Sequence, residues 1–510
     1  VKSQRRRAEI AEPRVKLHAA RAPRALSALR YGTCFITGAA ILVLEVLGFR
    51  LFAPYFGSSV YVTGTLIGIV LAALSLGYVI GGSLADRRPE ERIMYAAILA
   101  AAIYLAVVLL VYRALLEALQ TWGLVAGTLA AACAIFVPPM LALSIVSPYL
   151  VRLAAVHERV GSVAGQMFAV STLGSIAGSF LATFVLVPGL GSHATLLGCV
   201  LVLVLLGAGG LWWTTGRTAP ALVAALLFVP SYTPHDPSVV LRKESAYNTI
   251  EVRDADGLRV MTLNRSRWRQ SYLARPDEEL PETYREYFLL APFLTEVRDV
   301  LILGASAGAS LTEFQHYFPV AVDAVDIDPE VLRLAEEYFG VRRDADTRLV
   351  AADARPFLAT ATRRWDFVEI DLFHGGPDMP FYVATQEFFA LVRARLAPRG
   401  VVMMNVLGSF ARNRDELVRA VGRTMATVFP SVYAMPFSGN TVLVAMGQQT
   451  DLAALRTRLE TVTTENLRPL AATMRDTLQV LPADDGPPLT DDHAPVEQMT
   501  HRLLLRLGEG

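Results

Sequence analysis

Six runs of mainly apolar residues within the first 216 positions constrain this chain more than any other feature. They cover about Tyr31 to Phe52, Val60 to Leu84, Ile93 to Tyr112, Trp122 to Leu150, Val163 to Val187 and Ala194 to Trp213. Each is long enough to cross a hydrocarbon core of roughly 30 Å as a helix, which satisfies its own backbone where no water is available. A seventh apolar run, Ala219 to Val229, is too short to be assigned a crossing and is read as lying at the interface or against the bundle.

Charge divides the chain at the same place. Between Tyr31 and Gly216 there are 13 charged residues in 186, whereas from His235 onward there are 69 in 276. A membrane half is therefore followed by a water-facing half, which excludes a soluble single domain and a disordered chain. The balance of 47 basic and 47 acidic side chains also excludes a nucleic-acid partner held by global charge. Cys34, Cys133 and Cys199 all fall in the apolar half, so neither a disulfide framework nor a cysteine-ligated metal is expected. The expected organisation is a basic cytoplasmic N-terminus (1–30), a transmembrane helical bundle of about six spans (31–216) and an interfacial segment with linker (217–246). A small β layer (247–296), a nucleoside-binding α/β domain (297–450) and a C-terminal helical tail (451–510) follow.

Orientation is read from the basic residues. Lys2, Arg5, Arg6, Arg7, Arg14, Lys16, Arg21, Arg24 and Arg30 precede the first span, and with six crossings Arg87, Arg88, Arg92, Arg152, Arg159 and Arg217 join them on one side. Arg50 and Arg113 fall toward the other. The excess of Lys and Arg on cytoplasmic loops then puts the N-terminus and, by the even count, the C-terminal half in the cytoplasm. A seventh crossing would reverse the second conclusion. The N-terminal basic run lacks a cleavage pattern after a short apolar core, so the first helix is expected to be retained.

Inside the bundle, Gly174 and Gly178 with Ser171, Ser175 and Ser179 form small-residue ridges suited to close helix packing. Glu45 and Arg50 are costly near lipid and are expected to pair with each other or with neighbours, or to line an ion or substrate path. Pro138-Pro139 predicts a kink or break in the fourth span.

In the second half, apolar residues alternate from Tyr247 to Leu263 around Asp254-Ala255-Asp256-Gly257, which predicts an antiparallel hairpin. Short apolar runs at Val300–Leu303, Val320–Val325, Leu349–Ala352, Phe367–Ile370 and Val401–Asn405 alternate with helical stretches, predicting a mostly parallel sheet with its ligand at the carboxyl ends of the strands. The first end continues into Gly304-Ala305-Ser306-Ala307-Gly308, where small residues admit a ligand to the backbone. The second ends at Asp326, 22 residues after Gly304, the spacing at which an acid reaches a ribose diol. The third reaches Asp353-Ala354 and the fourth Asp371. Each aspartate taken alone is equally a helix cap; four such ends in order carry more weight.

These motifs resemble a known family. The run from about Tyr247 to Met446 resembles the spermidine synthase (polyamine aminopropyltransferase) branch of the class I methyltransferase-like, Rossmann-like α/β fold. The membrane half, most tellingly Phe35 to Gly57, resembles the bacterial integral-membrane versions of that family. The resemblance implies an integral protein of the bacterial inner membrane that uses S-adenosylmethionine or decarboxylated S-adenosylmethionine as substrate, without a metal. It implies that Gln270 and Asp326, with Ile327 beside them, hold the ribose and Asp353 and Ala354 the adenine. Gly304, Ala305, Ser306 and Gly308 would hold the methionine-derived arm. Tyr284 matches the family's active-site tyrosine and Asp371 its catalytic aspartate; His374 is either a proton carrier or a loop histidine, and Gly375 to Phe389 would close over the acceptor. The partners implied are a small-molecule amine, or none, and the lipid bilayer. No nucleic acid is expected, and a homo-oligomer such as a dimer is left open.

An amine attacking the carbon beside a sulfonium starts with a pKa of about 10.4, so a carboxylate is needed to take or hold its proton. Three positions depart from the family pattern: Ala307 and His374 replace aspartates, and Arg285 follows the tyrosine. The site is thereby less favourable to cations, which brings in a variant reaction in which the donor's own carboxylate attacks to give a homoserine lactone. A methyltransferase, and a transporter or sensor that binds nucleoside without turnover, are further readings. Glu369, two residues before Asp371 on the same strand face, is read as paired with an arginine or as half of a carboxylate pair. Asp491-Asp492-His493 is read as a structural return onto the domain rather than a metal site.

Overall fold

The computed structural model describes residues 24–57, 59–155, 159–216, 236–255, 257–264, 270–273, 280, 283–373, 375–410, 415–482 and 485–508. The run Ala219 to Val229, and His374, lie outside the described residues.

The apolar N-terminal half, called the membrane half for the location its sequence predicts, contains α1 (Arg24–Phe56), α2 (Val60–Arg87), α3 (Glu91–Gln120), α4 (Leu124–Ser144), α5 (Val146–Ala154), α6 (Val160–Leu181), α7 (Val187–Leu190) and α8 (Ser192–Thr215). These make six helical units long and apolar enough to cross a membrane, α4 with α5 and α6 with α7 each counting as one. Large apolar side chains such as Leu71, Val79, Leu110, Phe168, Phe184 and Leu205 remain exposed on their outer faces, an arrangement compatible with membrane insertion. The break that follows Pro138-Pro139 comes at Ile145, between α4 and α5. A π-helical turn, Ala182–Leu186, precedes Pro188, whose ring nitrogen cannot donate to the turn before it.

The glycine ridge of α6 packs α1. A Cβ on Gly174 would lie 2.1 Å from the Phe35 carbonyl oxygen and one on Gly178 2.3 Å from that of Ala39, while one on Gly38 would lie 2.3 Å from the Ser171 carbonyl oxygen. The Ser175 hydroxyl donates to the Gly38 carbonyl at 3.1 Å. Only glycine allows these backbones to meet.

The two ends of the bundle can be told apart by their contacts. At one end Arg30 donates to Glu91 at 2.9 Å, Arg152 to Asp86 at 3.1 Å, and the Tyr149 hydroxyl to the Arg88 carbonyl at 3.1 Å. Gly210, near the close of α8, packs against Tyr95 at this same end. The other end holds Gly57, Ser59, the turn at 121–123 and Gly191.

The second half docks on that other end. Glu244 accepts hydrogen bonds from the Ser192 backbone N–H (2.7 Å) and hydroxyl (2.6 Å) at the start of α8, and Glu497 accepts from the Val60 N–H (3.0 Å) at the start of α2. Each carboxylate covers an N–H that a helix start leaves unpaired, where the helix dipole also favours negative charge. Arg50 donates to the Ser245 and Tyr247 carbonyls at 2.8 and 3.0 Å. It therefore pairs with the soluble half and not with Glu45, which has no hydrogen-bond or ion-pair partner among the described residues. The even crossing count predicts that the second half returns to the N-terminal side; these contacts correct that expectation and seat it at the opposite end.

The soluble half opens with a four-stranded antiparallel meander, β1 (Val239–Glu244), β2 (Thr249–Ala255), β3 (Leu258–Leu263) and β4 (Ser271–Tyr272). The expected hairpin is β2–β3, with Ala255 opposite Leu258; β1 extends the layer into the stretch expected to be linker. The main sheet contains β5 (Asp299–Leu303), β6 (Ala321–Asp326), β7 (Thr347–Ala351), β8 (Trp365–Ile370), β9 (Leu396–Leu407), β10 (Ser431–Phe437), β11 (Asn440–Met446) and β12 (Gln479–Val480), in the order β12-β10-β11-β9-β8-β5-β6-β7. The run β7-β6-β5-β8-β9 is parallel and the remainder antiparallel. The C-terminal tail, expected to be helical, also supplies edge strand β12. Strand order reverses beside β5, and a crevice opens there at the carboxyl ends.

Replacing Gly174 with Leu forces a side chain into the Phe35 backbone, an overpacking of about 1–3 kcal/mol. Gly165 of the same helix has open space around its Cβ position. Thermal unfolding in detergent is expected to show a lowered midpoint for Gly174→Leu and none for Gly165→Leu.

Candidate active site

The crevice beside β5 encloses a cavity of about 320 Å³, within the range of small-molecule sites. The site residues expected from sequence that line it are Gln270, Gly304, Ser306, Asp326, Ile327, Asp353, Ala354 and Asp371. Ala305 and Gly308 do not: they shape the loop behind the wall. At Gly304 the backbone has φ +96°, and a Cβ would lie 2.1 Å from the Asp371 carbonyl oxygen, so this glycine lets the ends of β5 and β8 close on one another. Gly308 has φ +78° and abuts Val341.

The three aspartates at the strand ends do different work. Asp326 caps no helix. Its carboxylate accepts the Ser306 N–H and the Asp328 N–H, each at 3.0 Å, and so ties the glycine loop to the end of β6. Burial pushes its pKa up to about 6 despite these bonds. Asp353 is an N-cap, accepting the Arg355 N–H at 2.9 Å, and its second oxygen accepts the Tyr382 hydroxyl at 2.9 Å. Asp371 accepts from the Tyr284 hydroxyl and from the Asn405 side-chain amide, each at 3.0 Å. Asn440 in turn donates to Asn405 at 2.8 Å, fixing which face of that amide points at the aspartate. Tyr284 lies behind Asp371; burial, then the charge of Asp371, pushes its phenol upward, so it stays a donor.

Arg285 turns away from the cavity. Its guanidinium lies over the rings of Tyr272 (5.4 Å) and Tyr284 (5.9 Å) and donates to the Gln270 carbonyl at 2.7 Å. Around it gather the buried Glu286 and Glu313, with the Tyr272 hydroxyl donating to both. Burial, then Glu286, raises Glu313 to about 7. Glu369 is buried without an arginine partner, which corrects the expected pairing; one of its oxygens has no hydrogen bond, and burial followed by the charge of Asp371 raises it to about 8. Ala307 packs against Ile250, Met261 and Leu334, under the β layer and not into the cavity. The tail motif is tied down: Asp491 pairs with Arg355 and accepts the Thr385 hydroxyl at 2.8 Å.

Several cavity residues have no local signal in the sequence. Pro380, Tyr382 and Val383 come from the loop expected to close over the acceptor. Asn248 and Asn264 interlock at 2.9 Å, and Asn248 reaches Asp328 at 3.0 Å. Ala53 and Gly57, at the end of α1, form a wall contributed by the membrane half.

Comparison with known proteins agrees with this geometry. Residues 283–452 match the model of the Spermine/spermidine synthase domain. The chain is 29% identical over 188 residues to a probable polyamine aminopropyl transferase of Bifidobacterium longum, covering 36% of this chain and 41% of that one. It is 33% identical over 172 residues to polyamine aminopropyltransferase 2 of Pseudomonas aeruginosa, covering 32% and 48% respectively. It thus spans less than half the length of either. A polyamine aminopropyltransferase of Corynebacterium efficiens is 24% identical over 388 residues, 68% of this chain and 72% of that one. Through residues 283–452 the chain is thus similar to the Spermine/spermidine synthase domain and to these polyamine aminopropyltransferases.

Proposed function

We propose that this protein is a membrane-bound aminopropyltransferase that binds decarboxylated S-adenosylmethionine and transfers its three-carbon arm to a small amine, releasing methylthioadenosine. The observation that carries the reading is Asp371, held at the floor of a nucleoside-sized cavity by Tyr284 and Asn405. The names of the curated relatives point to the same transfer.

In this reading Asp326 and Gln270 take the ribose hydroxyls, the Asp353–Ala354 edge receives the adenine, and the glycine loop lies along the arm. The acceptor's nitrogen forms a bond to the carbon beside the sulfonium. The carbon–sulfur bond breaks with its electron pair going to sulfur, and neutral methylthioadenosine leaves. The acceptor's ammonium first gives a proton to Asp371, whose two fixed donors aim its carboxylate, and the lone pair so freed makes the attack. Most of the acceleration then comes from alignment in a secluded site. His374 is kept as a candidate proton carrier from the closing loop. The lactone-forming variant drew on Arg285 as a counter-charge for a donor carboxylate. That guanidinium is committed to Tyr272, Tyr284 and Gln270, so the amine-acceptor reading is preferred.

Asp371→Asn is expected to lower turnover about 10²- to 10⁴-fold, the usual worth of a general base, while donor binding measured by calorimetry is retained; unchanged turnover would remove Asp371 from the mechanism. Asn405→Leu removes one aiming bond and is expected to lower kcat more than it raises KM for either substrate. The ribose hydroxyls donate best to an ionised Asp326, which with its raised value is charged only above about pH 6. Donor affinity is therefore expected to fall as pH drops through about 6, and the Asp326→Asn variant, already weak, should show no step there.

A further inference from the structure

The two ends of the membrane half carry opposite charge inventories. Arg30, Arg87, Arg88, Arg92, Arg152 and Arg159 gather at the end where the chain enters, next to the basic stretch of residues 1–30. The described connections at the other end, Gly57, Ser59, 121–123 and Gly191, contain no Lys or Arg, and Arg50 and Arg113 lie within their helices. Lys and Arg accumulate in short loops on the cytoplasmic side, so the first end is cytoplasmic. The soluble half is fastened to the second, through Arg50 to Ser245 and Tyr247, Glu244 to Ser192, and Glu497 to Val60.

The connection between the halves is fixed by its described ends. Gly207 packs on Leu99 and Gly210 on Tyr95, so α8 runs toward the cytoplasmic end and Gly216 lies there. The next described residue, Asp236, lies at the far end, where it lines a second cavity with Arg113, Gly191 and His193. Between Gly216 and Asp236 the chain passes from one end of the bundle to the other. The 19 intervening residues include the apolar run Ala219 to Val229.

We propose that the second half lies on the side of the membrane opposite the N-terminus and that its nucleoside cavity is an extracytoplasmic site seated on the membrane surface, with the end of the first span as one wall. Ala53 and Gly57 line the cavity directly. A Cβ on Gly57, where φ is +75°, would lie 2.5 Å from Asp378 Oδ2 in the loop that follows β8. The turn held by Arg50 supplies Ala246, Tyr247 and Asn248 to the same cavity. The identity of the reactants rests on the aminopropyl-transfer reading; the side of the membrane does not. If both hold, the donor and the amine are consumed, and methylthioadenosine is released, outside the cytoplasm.

Single cysteines test this in the full-length protein in intact cells. Glu296 is exposed on the soluble half, its side chain 77% accessible, and Arg92 is exposed at the opposite end of the bundle, 62% accessible. Glu296→Cys is expected to react with a membrane-impermeant maleimide before permeabilisation and Arg92→Cys only afterwards, each read against the parent protein. A Glu296→Cys variant that labels only after permeabilisation, or labelling of both variants on one side, overturns the proposal. Methylthioadenosine formation by the purified parent protein is measured separately. Protected Glu296→Cys with an active parent rejects the topology alone; labelled Glu296→Cys with an inactive parent upholds the topology and rejects the transfer reading.

Discussion

The arrangement of the molecule depends on the free backbone groups at the ends of membrane helices. A helix start leaves N–H groups without partners, and at the docking end of the bundle two of them are taken by carboxylates from the other half of the chain, Glu244 at Ser192 and Glu497 at Val60. Arg50 completes the junction in the opposite sense, donating from a membrane helix to carbonyls of the soluble half. These contacts set where the α/β domain sits, which face of it meets the bundle, and which membrane residues enter its cavity.

Above that junction the site follows from the order of strands. The reversal of strand order beside β5 leaves a crevice, and the parallel strands deliver Gly304, Asp326, Asp353 and Asp371 to its rim. The antiparallel extension through β9 and β11 then supplies what the parallel part lacks. Asn440 on β11 pairs with Leu407 of β9, two positions from Asn405, and the linked amides of Asn440 and Asn405 end on Asp371. The excess buried acid beside the site is met in three ways: Arg285 supplies charge, Tyr272 supplies hydrogen bonds, and Glu313 and Glu369 hold their protons more tightly.

Much of this was legible in the residues. Apolar runs of spanning length located the six units, and short apolar runs followed by Gly or Asp located β5 to β8 and the residues at their ends, because both signals are local. The π turn, the strand from the tail and the Asn405–Asn440 relay were not legible, since each depends on a partner distant in sequence. Glu369 misled for the same reason: its spacing from Asp371 gave the shared face, while nothing nearby in sequence told whether an arginine would reach it. The end of the bundle on which the second half sits was not legible either: an even count of apolar runs predicts the N-terminal end, whereas the contacts of Glu244, Glu497 and Arg50 seat it at the other.

Gly57 has a consequence for how such a protein can be assembled from parts. There the left-handed backbone of Gly57 and the carboxylate of Asp378, in the loop after β8, lie so close that a Cβ would displace that carboxylate. An α/β domain joined to an unrelated helix would retain every strand-end residue and still lose the face of its cavity that Ala53 and Gly57 supply. The wall belongs to both halves of the chain, so exchanging either half alone reshapes the pocket.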